Sequence, residues 1–159
     1  MLVVSDASPL NVLIRIELVS ILETLFGRVV IPPAVAREMS HPNAPVAVRE
    51  WLARRPSWIE IREPSATDLS LALDPGECEA ICLAMQLGAD LLLVDDLKAR
   101  RVARRLGLAI TGTIGILESA AERRLIDLPT ALDRLRRTDF SISEDLLRAA
   151  LRRDAYRRE

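Results

Sequence analysis

The chain alternates short apolar runs with longer stretches of helical spacing. LVVS (2–5) is a buried run that ends at Asp6, and SPLNVLIRI (8–16) follows with helical periodicity. Ser8 before Pro9 predicts an N-cap with proline at the first helical position. RVVI (28–31) reads as a second strand, and the proline pair of PPAVAREMS (32–40) opens a helix. Residues 45–55 are helical, and WIEIRE (58–63) alternates like an edge strand. SATD (65–68) has the form of a capping box for a short helix, and DPGE (74–77) of another that starts CEAICLAMQLG, with Gly88 as its C-cap. LLLV (91–94) is the most apolar strand and runs straight into Asp95 and Asp96. An arginine-rich helix (97–106), a short strand LAI (108–110), the turn TGT (111–113) and helices at 114–123, 129–137 and 143–157 complete the pattern.

Strands alternating with helices predict an α/β domain, with a mainly parallel central sheet flanked by helices in three layers. In such sheets ligands bind beyond the carboxyl ends of the strands, where Asp6 and Asp95 both fall. A length of 159 residues suits one domain with one substantial core. No apolar run approaches the ~20 residues of a bilayer span, so no membrane partner is expected. The N-terminus lacks the basic and long apolar regions of a secretory signal, which makes a cytoplasmic protein the expectation.

Net charge is −1, so no global positive field advertises nucleic-acid binding. The basic residues are nevertheless numerous, and Lys98 is the only lysine among them. Cys78 and Cys82, with a single histidine, cannot assemble a closed zinc site and read as small buried hydrophobes. That histidine, His41, lies in the loop-like SHPNAP and reads as a solvated loop residue, which leaves a histidine-based triad without support.

The carboxylates are harder to dismiss. Asp95 and Asp96 cannot both cap the helix after them, and Asp6 has no capping duty if Ser8 performs it. Glu77 fits the third position of its capping box, and Glu38 would by default face solvent. Several carboxylates gathered in one cleft repel one another unless a cation neutralises them. Oxygen donors without Cys or His suit Mg²⁺ or Mn²⁺. LLLVDD also looks like a Walker B strand, but no phosphate-binding G-x-x-x-x-G-K-[ST] loop accompanies it. It looks like the acidic start of a receiver domain too, but too little chain follows it.

The ordered series VVSDASPL, IPPAVAREM, LDPGECEAICLA, LLLVDD and TGTIGILESA resembles PIN-domain proteins, and within them the bacterial and archaeal subgroup related to VapC toxins. The resemblance covers roughly residues 1–140 as the nuclease domain, with 141–159 as a C-terminal helical extension of the same domain. It implies a three-layer PIN-like (Rossmann-like) fold and a catalytic set of Asp6, Glu38, Glu77 and Asp95, with Asp6, Glu77, Asp95 and Asp96 as metal ligands. Glu77 stands where many relatives have aspartate. It further implies a Mg²⁺- or Mn²⁺-dependent endoribonuclease, an RNA substrate, a toxin role masked by a small cognate antitoxin, and a homodimer. Arg100, Arg101 and Arg104 of KARRVARR, together with Thr113, would then meet the RNA. A non-catalytic RNA- or protein-binding module and a phosphohydrolase of small phosphoesters are the alternatives. Asp6→Asn and Asp95→Asn are both expected to abolish cleavage and spare the fold. The stripe Leu146, Leu147, Ala150 and Leu151 either packs on the core or forms an assembly surface.

Overall fold

The computed structural model describes residues 1–159. Its strands are β1 (Val3–Ser5), β2 (Val29–Ile31), β3 (Ile59–Ile61), β4 (Leu91–Leu93) and β5 (Ile110–Thr111), all parallel in the order β3-β2-β1-β4-β5. The helices are α1 (Ala7–Arg15), α2 (Ile21–Phe26), α3 (Pro33–Ser40), α4 (Val46–Ala53), α5 (Pro75–Leu87), α6 (Leu97–Arg105), α7 (Thr113–Glu122), α8 (Leu128–Arg136) and α9 (Glu144–Arg158). Alternate strand residues point to opposite faces, and both faces are covered. Val3, Val29, Ile31, Ile59 and Leu93 pack with residues of α1, α2, α3, α4, α7, α8 and α9, whereas Val4, Val30 and Leu92 pack with residues of α5 and α6. The result is the three-layer α/β arrangement that the element pattern predicts. No helix is long and apolar enough to cross a membrane.

The strand order reverses direction at β1, which is flanked by β2 on one side and β4 on the other. A crevice therefore opens beyond the carboxyl ends of β1 and β4. The pairing Ser5↔Leu93 brings the residues after both strands to one edge, and the Asp6 amide donates to the Leu93 carbonyl at 2.9 Å.

Several local expectations need correction. Asp6, not Ser8, is the N-cap of α1, because its extended backbone (φ −77°, ψ 172°) ends β1 and the helix starts at Ala7. Pro9 is still tolerated, since amides in the first turn have no helical partner to lose. Asp68, not Ser65, caps the short 3-10 turn Leu69–Leu71, and its carboxylate accepts from the Ser70 amide at 3.0 Å. Helix α2 carries no distinct signal in the sequence. The turn that separates it from α1 places Glu17 at φ 62°, a left-handed conformation taken without glycine or proline to announce it. The last strand starts two residues later than LAI suggests, after Gly107 has turned the chain at φ 82°.

Helix α9 divides its apolar stripe. Leu147 and Ala150 are buried in the larger core, Leu151 is half-buried, and Leu146 is exposed. Arg153 forks onto the Glu118 carboxylate at 2.7 and 3.2 Å and ties the helix to α7. Core packing by Leu147 predicts that Leu147→Ala loses about 2–4 kcal/mol of unfolding free energy in a urea titration. Truncation after Phe140 is expected to leave no cooperative transition. A truncated chain that melts like the intact one would show that α9 is an appendage.

Candidate active site

The acidic side chains reach the crevice from three parts of the chain. Asp6 follows β1 and is only 5% exposed. Glu38 projects from α3, Asp74 is the N-cap of α5, and Glu77 lies in the first turn of that helix. Their convergence is best seen at Gly76. A Cβ there would lie 3.0 Å from Glu38 Oε2, 3.4 Å from Asp6 Oδ1 and 3.6 Å from Asp74 Oδ1. Three carboxylate oxygens thus surround a space that glycine leaves free. Gly76 is required for that room, not for backbone freedom.

Charge reflects the same crowding. Burial pushes the Asp6 carboxyl up from 3.8 to about 8; the Ala7 amide offsets part of this, and repulsion from Glu77, Glu38 and Asp74 adds to it. Burial also lifts Glu77 from 4.5 to about 7, reinforced by Asp74 and Asp96. Glu38 is raised by burial and then by Asp74. None of Asp6, Glu38, Asp74 or Glu77 is in a salt bridge.

Asp74 is a site residue that sequence reasoning misses. The DPGE motif signals a helix start, and Asp74 does cap it, accepting from the Glu77 amide at 2.8 Å. The Asp74 amide in turn faces the Glu77 carboxylate and lowers its pKa, but burial outweighs this and leaves Glu77 raised at the cleft. The available signal is the glycine between the two acids, which a helix cap does not need.

Asp95 and Asp96 part company. Asp96 is the N-cap of α6, accepting from the Ala99 amide at 3.0 Å, and its charge is felt by Glu77. Asp95 stands aside from the group that raises Asp6. Its Oδ1 accepts from the Thr113 amide at 2.7 Å, and its Oδ2 from the hydroxyls of Thr113 and Ser8 at 2.8 and 3.1 Å. Asp95 thereby joins the end of β4 to the starts of α7 and α1. Gly112 permits this close approach, because a Cβ there would sit 2.7 Å from both Asp95 Oδ1 and an Arg100 nitrogen.

Two of the expected RNA contacts change meaning. Thr113 is fully buried with its hydroxyl committed to Asp95, so direct contact with RNA is ruled out. Arg100 is half-buried, donates to the Val94 carbonyl at 3.0 Å, and has its pKa lowered by burial and by Arg104. Arg101 and Arg104 are exposed. Helix α3 is fixed by another route. Pro32 at its N-cap has no side-chain oxygen, so Glu79 of α5 accepts from the Ala34 amide at 3.1 Å instead. That tie sets Glu38 opposite Gly76.

No three acidic, histidine or cysteine side chains stand as a finished metal cage. The donor chemistry nonetheless suits a hard divalent cation: only carboxylate oxygens, raised pKa values with no protein cation to relieve them, and a cradle over Gly76. Asp6, Glu38, Asp74 and Glu77 are the residues placed to hold it.

A family model described as a PIN domain matches residues 2–155. No curated protein and no solved structure matches the chain.

Two predictions follow the electrostatics. A carboxyl whose folded pKa is raised contributes stability fully present below its unfolded value near 3.8, and that contribution is lost as pH rises through about 8. Metal-free protein is therefore expected to lose stability between about pH 5 and 8, by roughly 1.4 kcal/mol per pKa unit at most. Asp6→Asn should flatten that slope and raise the melting temperature at the alkaline end; an unchanged slope would mean that Asp6 is not the crowded group. Gly76→Ala should keep or slightly raise helix stability, by up to about 1 kcal/mol, while weakening Mn²⁺ binding in calorimetry. Wild-type Mn²⁺ affinity in Gly76→Ala would empty the cradle of meaning.

Proposed function

The chain belongs to the PIN-domain family, and from that premise we propose that it is a Mg²⁺- or Mn²⁺-dependent endoribonuclease. PIN domains are commonly nucleases that use divalent metal ions. The observation that carries the finer reading is the gathering of Asp6, Glu38 and Asp74 around Gly76, with Glu77 beside them, at the sheet's switch point. A bound divalent cation would supply the positive charge and acidity that phosphodiester hydrolysis by water requires. Asp6, the most buried of the set, would hold such a cation from the end of β1. Glu38 and Asp74 close the cradle from α3 and α5, and Glu77 stands ready to hold or orient water with a carboxyl poised near 7. Asp95 keeps α1 and α7 in register with the sheet edge through Ser8 and Thr113. Arg101 and Arg104, exposed on α6, supply charge for RNA phosphates.

The VapC-like motif series supports a toxin role, with a small antitoxin covering the site and a homodimer as the assembled form. Wild-type expression is then expected to arrest growth, and Asp6→Asn to relieve the arrest.

The decisive assay compares RNA, DNA and a small phosphomonoester under Mn²⁺. RNA cleavage is expected to exceed the others and to fall at least about a hundredfold in Asp6→Asn. Asp95→Asn should differ from that variant. An amide cannot accept on both sides as the carboxylate does, so it should cost about 1–3 kcal/mol of stability as well as activity. Intact RNA with every metal tried, in protein that still binds it, would reduce the chain to a binding module.

A further inference from the structure

A phosphate chain approaching four carboxylates meets strong repulsion, and a cation between them relieves only the phosphate it touches. Neighbouring phosphates of the same strand need donors of their own at the edge of the cleft. The cleft bordered by Glu38, Asp74 and Gly76 has a volume of about 430 Å³, and Arg37 and His41 also line it. We propose that Arg37 and His41 form a subsite for an RNA backbone phosphate adjacent to the one cleaved. The proposal rests on the ribonuclease reading and names how the strand is seated in that site.

Both side chains are held for this use. Arg37 is exposed, and one nitrogen lies 3.4 Å from Glu79 Oε2, which braces the guanidinium while leaving most of its five N–H groups free. His41 is the exposed C-cap of α3, and its ring and carbonyl each accept a hydrogen bond from the turn that follows. The Asn43 amide donates to Nδ1 at 3.0 Å, the Ala44 amide donates to the His41 carbonyl at 2.8 Å, and Arg49 Nε donates to the Ala44 carbonyl at 3.1 Å. With Nδ1 accepting from the Asn43 amide, Nε2 is the ring nitrogen left to meet a ligand. A donor beside a fixed guanidinium suits a phosphodiester oxygen. His41 is exposed in the loop after α3, as the sequence reading expects, so its ring is open to a ligand at the cleft.

The test uses Asp6→Asn protein in Mg²⁺ with a short fluorescein-labelled oligouridine, so that binding is read without cleavage. His41→Ala and Arg37→Ala in that background are each expected to weaken binding, together by roughly tenfold. The slope of log affinity against log salt should become shallower by about 0.7 in Arg37→Ala, which removes a charge, and stay unchanged in His41→Ala, which removes only a hydrogen-bond partner. His41→Ala leaves the brace between Arg37 and Glu79 intact, and Arg37→Lys should recover part of the affinity, which a loss of helix packing would not allow. His41 is the only histidine, so its ring resonances are unambiguous and should shift when oligouridine is added. In otherwise wild-type protein with Mn²⁺, the same substitutions should raise KM more than they lower kcat. Unchanged affinity in both variants and an unchanged salt slope in Arg37→Ala, with wild-type protein still cleaving RNA, overturns the subsite and leaves the nuclease standing. Wild-type protein that neither binds nor cleaves the oligouridine overturns both.

Discussion

Burial of unpaired carboxylates, reinforced by their mutual repulsion, is the constraint to which the rest of this molecule answers. Asp6, Glu38, Asp74 and Glu77 share one crevice without a salt bridge among them, and two of the four are pushed to near or above neutrality. Such crowding is destabilising in the free chain, and a fold keeps it only if the scaffold around it is rigid. The buried, all-parallel sheet supplies that rigidity. Its central strands have no solvent face, and their carboxyl ends converge where the direction of strand order reverses.

The acids outside the crowd do the fastening. Glu79 replaces the missing cap of α3, Asp96 caps α6, and Asp95 gathers three donors from α7 and α1. Gln86 anchors the segment leading to Asp74, accepting from the Ser65 amide and donating to the Ala66 carbonyl, each at 2.7 Å. Lys98, the only lysine, donates to the Ala72 carbonyl two residues before Asp74. Glu79 in this way orders the helix that carries Glu38, and Asp74 belongs to both groups, capping α5 through the Glu77 amide while it borders the space over Gly76.

This division explains how much is legible in the sequence. Strands such as LVVS and LLLV announce themselves because burial on both faces demands continuous apolar runs, and proline and glycine mark the ends of α3 and α5. Asp6, Glu38 and Glu77 stand out as candidates in the sequence, and the structure brings them together. Asp74 stays hidden because a capping aspartate and a site aspartate look the same in one dimension. The same ambiguity runs the other way for Ser8, which has the form of a cap for α1 and instead donates to Asp95. Helix α2 is invisible because Glu17 makes its turn without a breaker residue.

The aspartate pair after β4 shows why neighbours in sequence need not be partners in chemistry. Successive residues leaving a strand point in different directions, so Asp95 turns to Thr113 and Ser8 while Asp96 turns to the amides of α6. Asp95 is the more deeply placed of the two, yet the main repulsion on Asp6 comes from Glu77, Glu38 and Asp74, whereas Asp96 acts on Glu77. Burial alone is therefore a poor guide to which carboxylate would serve a cation. The better guide is the count of donors already spent: three on Asp95, one on Asp96, and for Asp6 only the partial relief of the Ala7 amide. By that measure the unmet demand centres on Asp6, beside the bare face of Gly76, where glycine leaves the room that a cation would fill.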